Sequence, residues 1–133
     1  MKRSKVEFSS HTANLALLRK CVRDFLNGYP FSEKERMFMV LGVDEACTNV
    51  IRYAYRLRDD QLISLQMEGL RKCVRLRLRD YGGKVIPNEM KGRSHDMIKP
   101  GGLGLHLIRY AFDQVDYVQK RRGTELVLTK KLK

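Results

Sequence analysis

The chain has 133 residues, 43% hydrophobic and 32% charged, which suits one globular domain with a single core. No stretch approaches the roughly 20 apolar residues of a membrane-spanning helix, and residues 1–8 lack the apolar segment of a secretion signal. An excess of 27 Lys and Arg over 15 Asp and Glu gives a net charge of +12, which would favour acidic partners, nucleic acid or an anionic membrane surface.

The first half of the chain predicts a strand followed by two helices. Residues 5–9 can form the strand, and residues 11–27 carry apolar side chains near helical spacing up to a Gly-Tyr-Pro break. Ser32 and Glu35 then form a Ser-x-x-Glu capping box at the start of the second helix. Apolar residues after the box repeat at alternating spacings of three and four, so this helix should be long and end near Tyr55.

The hydrophobic period then changes from 3.6 to 2. Between residues 63 and 78, apolar side chains alternate with polar ones on both sides of a turn at residues 69–71. Such alternation predicts an antiparallel hairpin with one face on a core and the other face in water. The stripe formed by Arg75, Arg77 and Arg79 would lie on the solvated face.

The last third begins with an irregular segment, residues 81–101, which is rich in glycine and proline. Loops of about 20 residues are uncommon inside compact domains and are often functional lids. Residues 103–112 then predict a short apolar helix, and residues 115–119 and 124–131 predict two strands. The order of elements predicts an α+β fold, a two-layer α/β sandwich with helices on one face of a mixed, mostly antiparallel sheet, in one domain spanning residues 1–133.

The three cysteines, Cys21, Cys47 and Cys73, are an odd number and include no Cys-x-x-Cys pair. This pattern indicates neither a disulfide framework nor a zinc site. Reduced thiols are typical of the cytoplasm, which is the location that we expect for this protein.

Glu45 and Asn49 lie four residues apart on the long helix, which puts them on the same face. On its own such a pair is typical of any exposed helix surface. The functional interpretation is that Asn49 offers its carbonyl oxygen to Mg²⁺, while Glu45 orients and deprotonates an attacking hydroxyl group.

Asp80 interrupts the hydrophobic alternation where the second strand of the hairpin ends, and glycines follow it. An Asp-x-Gly sequence of this kind is also a common plain turn. A buried carboxylate, however, needs a hydrogen-bond donor, and the exocyclic amine of adenine is a good one. In that interpretation Asp80 distinguishes ATP from GTP.

Glycines at positions 101, 102 and 104 open the short apolar helix. They would let backbone N–H groups approach an anion, and the helix dipole adds positive potential there. The pattern is therefore typical of a phosphate cradle, although it is neither a Walker A motif nor a dinucleotide fingerprint.

Together these motifs resemble those of the GHKL ATPase superfamily, and within it the bacterial anti-sigma factor serine/threonine kinases. Residues 43–55 resemble the N box of that family, residues 80–83 its G1 box, and residues 101–108 its G2 box. Residues 123–128 resemble its last strand. The resemblance covers nearly the whole chain and implies the histidine-kinase-like ATPase fold, also called the Bergerat fold.

The resemblance also implies roles for individual residues. Glu45 would be the general base, and residues 84–101 would form the ATP lid. Asp80 and its neighbours would hold adenine, and the glycines of the G2 box with the amide of Leu105 would hold phosphates. The nucleotide-binding residues that it implies are Asn49, which also binds Mg²⁺, Asp80, Gly82, Gly102, Gly104, Leu105 and Thr124.

The chain departs from the family pattern at two places. Lys84 and Val85 stand where the family often has a glycine and an aromatic residue, so the start of the lid departs from the family sequence. Tyr53 stands where many members carry histidine.

The activity that the resemblance implies depends on ATP and Mg²⁺. The protein would phosphorylate a serine of a STAS-domain anti-sigma antagonist and sequester a sigma factor, as a homodimer that contacts neither a membrane nor nucleic acid directly. Basic residues of the first helix, Arg19, Lys20 and Arg23, are candidate contacts for acidic partners.

Two alternatives remain open at this point. The protein could be an ATP-binding switch that captures a partner without phosphoryl transfer, although the presence of Glu45 argues against this. It could instead bind nucleic acid through its positive charge, although the sequence contains no recognised nucleic-acid recognition motif.

Overall fold

A computed structural model describes residues 2–82 and 102–132, and for residues 102–105 it describes the backbone alone. The strands are β1 (Arg3–Ser9), β2 (Leu62–Gly69), β3 (Cys73–Asp80), β4 (Gln114–Gln119) and β5 (Thr124–Lys131). The helices are α1 (Leu15–Leu26), α2 (Glu33–Asn49) and α3 (Gly102–Ala111). A 3₁₀ turn, Thr12–Asn14, precedes α1, and a π-helical turn, Val50–Ala54, extends α2.

The observed elements confirm the predicted order, with small shifts at their ends. The first predicted helix is divided into the 3₁₀ turn and α1, because Nδ1 of His11 accepts a hydrogen bond from the backbone N–H of Ala13 and caps the short turn. The second helix extends to Ala54, as its apolar spacing predicts, but its last five residues are π-helical. Most of the predicted loop, residues 83–101, lies outside the described residues.

The five strands form one sheet in the order β1-β2-β3-β5-β4. All pairings among these described strands are antiparallel, so the expected sheet is present in its antiparallel form. The register places Leu65 opposite Leu78, and Leu78 opposite Leu126, so that apolar side chains align across the central strands.

The helices cover one face of this sheet, which confirms the two-layer α+β sandwich. Apolar stripes of the helices and alternate strand residues share one core, to which α1 contributes Leu18 and Val22, and α3 contributes Ile108. Helices α2 and α3 cross closely at Gly42, where a Cβ atom would lie 3.3 Å from the Cβ of Ala111. In the part of the chain that the structure describes, no helix has the length and apolar composition needed to cross a membrane.

The opposite face of the sheet carries the predicted arginine stripe, but these side chains are only half-exposed. Glu68 is buried beneath them and pairs with Arg3 at 3.3 Å and with Arg77 at 3.0 Å. Arg77 also reaches Glu125 on β5 at 3.4 Å. Arg77, the middle residue of the stripe, therefore belongs to an ion-pair network across four strands, because diagonal neighbours in a sheet lie within reach of long side chains.

The capping box predicted at the start of α2 is present in both halves. Oγ of Ser32 accepts a hydrogen bond from the N–H of Glu35 at 3.0 Å, and Oε1 of Glu35 accepts one from the N–H of Ser32 at 2.8 Å. We expect Ser32→Ala to lower the free energy of unfolding by about 1 kcal/mol, as measured by urea denaturation. Ser4→Ala, on the exposed part of β1, is the control and should change it by less than about 0.5 kcal/mol.

The three thiols are free but differ in exposure. Burial, assisted by the charge of Asp44, raises the pKa of Cys47 to about 12, whereas Cys21 and Cys73 are partly exposed. At pH 8 we therefore expect a thiol reagent to modify two cysteines in the native protein and three after denaturation. Cys47→Ala should leave the native count at two, and rapid modification of Cys47 in the native protein would contradict the described packing.

Candidate functional site

A cleft lies between the end of α2, with its π-helical turn, and the sheet, and with its open mouth it holds about 420 Å³ of free space. Its walls are mostly apolar with a few polar groups, which is typical of small-molecule sites. It brings together three residues of the predicted site that are distant in sequence: Asn49 on the helix side, and Asp80 and Thr124 on the sheet side.

Asp80 faces the helices because it lies in phase with the buried residues Leu76 and Leu78 of β3. Its side chain accepts hydrogen bonds from the backbone N–H groups of Gly82, at 3.1 Å, and of Thr124. Burial is the largest influence and raises the pKa of Asp80, although these hydrogen bonds and the charge of Arg79 act in the opposite direction. A carboxylate desolvated in this way gains strongly from any further donor.

Tyr55, which the sequence marked only as the end of a helix, holds the Asp80 segment in place. It is fully buried, and its hydroxyl donates to the carbonyl oxygen of Leu62 at 2.5 Å and accepts from the N–H of Tyr81 at 2.6 Å. Gly82 packs against the same helix end, where a Cβ atom would lie 2.8 Å from the carbonyl oxygen of Ala54. The hydroxyl of Tyr55 and the close packing of Gly82 thus hold the end of the α2 extension against the segment that follows β3.

The turn between β4 and β5 supports Asp80 from the other side. The guanidinium group of Arg79 donates to the carbonyl oxygens of Asp80 and Arg122, and it lies 4.3 Å from the ring centroid of Tyr81. Gly123 in this turn has a φ of 83°, and a Cβ atom there would lie 2.7 Å from the carbonyl carbon of Asp80. Only glycine fits this approach without displacing the end of β3.

We therefore expect Gly123→Ala to lower the free energy of unfolding by about 1–3 kcal/mol, through the positive φ and the overlap with Asp80. The matched control is Gly28→Ala, where the nearest atom to an added Cβ lies at 3.5 Å, an ordinary contact. Equal effects of the two substitutions in denaturant titrations would contradict the described turn.

Asn49 and Glu45 occupy successive turns of α2. Asn49 is buried and lines the cleft, whereas Glu45 is half-buried, lies outside the lining of the cleft and has no ion pair with any described residue. Within residues 2–82 and 102–132, no group of three or more His, Cys, Asp or Glu side chains could hold a metal ion. Mg²⁺ commonly takes its ligands from waters and bound phosphate groups together with one or two protein oxygens.

The predicted phosphate-binding residues Gly102, Gly104 and Leu105 form the first turn of α3, which packs beside α2. The first N–H groups of a helix have no partner within it and are suited to binding anions. The predicted lid, residues 84–101, lies outside the described residues.

Tyr117 of β4 also lines the cleft, a role that was not predicted from the sequence. The sequence signal was its spacing of two from Val115, which places both side chains on one face of a strand; its pairing with Leu126 is visible only in the structure.

Comparison with known proteins agrees with this architecture. The family model of the histidine kinase-like ATPase domain matches residues 8–130. Serine/threonine-protein kinase BtrW of Bordetella bronchiseptica is 29% identical over 103 residues, which cover 74% of this chain and 72% of that protein. Serine-protein kinase RsbW of Staphylococcus aureus is 30% identical over 103 residues, which cover 70% of this chain and 64% of that protein.

Two solved structures bear on the fold alone, because each is 14% identical in sequence. The RsbU and RsbW domains of Rv1364c from Mycobacterium tuberculosis match with a TM-score of 0.69, over 99% of this chain and 33% of that one. The histidine kinase AdeS of Acinetobacter baumannii matches with a TM-score of 0.54, over 99% of this chain and 69% of that one. Since the family model spans nearly the whole sequence, the chain belongs to the histidine kinase-like ATPase domain family.

Proposed function

We propose that this protein binds ATP in the cleft and transfers its γ-phosphoryl group to a serine of another protein. The observation that carries the proposal is the buried carboxyl group of Asp80, which shares one cleft with the amide of Asn49. The similarity to two proteins named as serine or serine/threonine kinases supports it.

In this proposal Asp80 holds the adenine base. Its carboxyl group already accepts the N–H groups of Gly82 and Thr124, and carboxylate oxygens have further lone pairs for an exocyclic amine. Guanine has a carbonyl oxygen at the corresponding position, which a buried carboxylate would repel. Gly82 and Thr124 would border the base, so the site would select ATP over GTP.

The phosphate groups would lie toward Asn49 and the start of α3. The amide oxygen of Asn49 is suited to Mg²⁺, and its side chain makes no hydrogen bond with another described residue. When bound, Mg²⁺ would neutralise charge on the phosphate oxygens. The backbone amides of Gly102, Gly104 and Leu105 would donate hydrogen bonds to the same groups.

Glu45 would act as the general base. The serine oxygen attacks the γ-phosphorus, the bond from that phosphorus to the β–γ bridging oxygen breaks, and ADP leaves. Glu45 accepts the hydroxyl proton of the serine. It lies about one helical turn from Asn49, or about 6 Å along the helix axis. The backbone amides at the start of α3 stabilise the charge that develops on the phosphoryl oxygens.

We further propose a STAS-domain anti-sigma antagonist as the substrate and a sigma factor as the sequestered partner of a cytoplasmic homodimer. Of the basic residues of α1, Arg19 pairs with Asp44 at 3.0 Å and Lys20 with Asp24 at 2.8 Å. Arg23, which has no ion pair among the described residues, lines a broad groove between α1 and α2. It is the best placed of the three for an acidic partner.

The direct test is transfer of labelled phosphate from ATP and Mg²⁺ to a STAS-domain protein encoded beside this one. Phosphorylation of a serine in that protein would support the kinase proposal. Tight ATP binding with no transfer to any candidate would favour the ATP-binding switch instead. Failure to bind ATP would refute both proposals.

A further inference from the structure

We propose that Arg79 is a positioning residue for the adenine site, because its guanidinium group joins the end of β3 to the turn before β5 and so holds the acceptor Asp80 in place. Arg79 lies outside the lining of the cleft, on the opposite face of the sheet, and would not touch the nucleotide itself. The inference rests on the proposed ATP binding and adds to it a residue on which the base contact depends.

The first observation is the point at which the backbone pairing of β3 with β5 ends. The last paired residues are Arg79 and Glu125, which come directly before Asp80 on β3 and directly after Thr124 on β5. Asp80 still pairs with Ile63 of β2, so one side of it is held by the sheet. On the β5 side, where the site lies, side-chain contacts replace the pairing, beginning with the hydrogen bond from the N–H of Thr124 to the Asp80 carboxyl group.

The second observation is the set of contacts that Arg79 makes across this gap. Its Nη1 donates to the carbonyl oxygen of Asp80 and to that of Arg122, the latter at 2.9 Å. The same guanidinium group lies 4.3 Å from the ring centroid of Tyr81, within the range of a cation–π attraction. Because Thr124 follows the tethered turn directly, a shift of that turn would withdraw its N–H from Asp80.

The charge of Arg79 also acts on the carboxyl group. Burial raises the pKa of Asp80, whereas the backbone hydrogen bonds that it accepts and the positive charge of Arg79 oppose the rise. The titratable side chains that approach Asp80 from other elements are tyrosines: Tyr55, whose own pKa is raised mainly by burial, and Tyr53 and Tyr117 in the cleft lining. Arg79 therefore helps to keep the carboxylate ionised, and able to accept from adenine, as the pH falls.

The test compares Arg79→Gln with Arg79→Lys. Glutamine removes the charge, whereas lysine keeps it but lacks the planar fork that reaches two carbonyl oxygens. We expect Arg79→Gln to lower the affinities for ATP and for adenosine, measured at neutral pH by calorimetry and NMR titration, by the same factor of about three to ten. Arg79→Lys should show part of this loss. On acidification, adenosine binding should weaken at a higher pH in Arg79→Gln than in the wild type, but not in Arg79→Lys.

The effect of the charge can also be measured without nucleotide. A ¹³C NMR titration of the Asp80 carboxyl group should give a higher pKa in Arg79→Gln than in the wild type or in Arg79→Lys. The matched control is Arg77→Gln, in the same stripe, which removes the ion pairs with Glu68 and Glu125. This control should lower the thermal unfolding midpoint and leave both the adenosine affinity and the pKa of Asp80 unchanged.

The possible outcomes separate this inference from the proposed function. Unchanged adenosine affinity in Arg79→Gln, while the wild type binds ATP and adenosine, would overturn the inference alone. Loss of affinity for ATP but not for adenosine would also overturn it, because Arg79 would then act on the phosphate groups. Equal losses in Arg77→Gln and Arg79→Gln would do the same, because the effect would then come from general stability of the sheet. A wild type that binds neither ATP nor adenosine would refute the proposed function itself, and this inference with it.

Discussion

Asp80→Asn is expected to weaken ATP binding by about 10- to 100-fold, the range for loss of a hydrogen bond to a charged group. The carboxylate now accepts hydrogen bonds from the backbone N–H groups of Gly82 and Thr124, and it would accept another from the adenine amine. The asparagine amide would place an N–H donor at one of these acceptor positions. The same donor suits the carbonyl oxygen of guanine. The preference for ATP over GTP should therefore fall by at least about tenfold, as measured by calorimetry with both nucleotides.

The control for this substitution is Asp116→Asn, on the exposed part of β4, which should leave both affinities unchanged. An acid titration adds a second check. Because burial raises the pKa of Asp80 above the ordinary 3.8, the carboxylate is lost on acidification at a higher pH than for an exposed aspartate. The ATP affinity of the wild type should fall over that range more than that of Asp80→Asn, and identical profiles would contradict the role of Asp80.

Glu45→Gln is expected to reduce phosphoryl transfer by about 10²- to 10⁴-fold while leaving ATP affinity within about twofold. Glutamine keeps the size and helix preference of glutamate but cannot accept the serine proton. Glu45 lies outside the lining of the cleft and has no ion pair with a described residue, so its charge has little part in holding the fold or the nucleotide. Single-turnover transfer from labelled ATP measures the first effect, and calorimetry measures the second.

Glu7→Gln, on the exposed part of β1, is the matched control for charge removal and should transfer phosphate at the wild-type rate. Full transfer by Glu45→Gln would assign the proton acceptor to another group. Loss of ATP binding together with transfer would indicate that Glu45 supports the pocket rather than the chemistry.

The sequence predicted those features of the fold that depend on local periodicity. Alternation at every second residue predicted the β2–β3 hairpin, and spacing at three and four predicted a long helix ending near Tyr55, close to its observed end at Ala54. The capping box was readable from Ser32 and Glu35 because its two hydrogen bonds join residues only three apart. The confirmed two-layer fold follows from the order of these elements.

The candidate site was predicted as three separate motifs, and the structure brings members of two of them, Asn49 and Asp80, into one cleft with Thr124. Their roles remain predictions. The arginine stripe was understood only in part, because the partners of Arg77 are Glu68 and Glu125, which lie 9 and 48 residues away.

By itself the sequence determined which residues form helices and strands and which face of β3 Asp80 occupies, because these properties follow from backbone geometry within a few residues. Only the tertiary structure decided what each side chain meets. Tyr53 and Tyr55 lie two residues apart, yet the hydroxyl of Tyr53 is buried without a partner among the described residues, whereas that of Tyr55 joins the start of β2 to Tyr81, the residue after β3. Gly123 needs to be glycine because the end of β3, more than 40 positions earlier, packs against it. Such contacts depend on how distant elements pack together, and no local pattern encodes them.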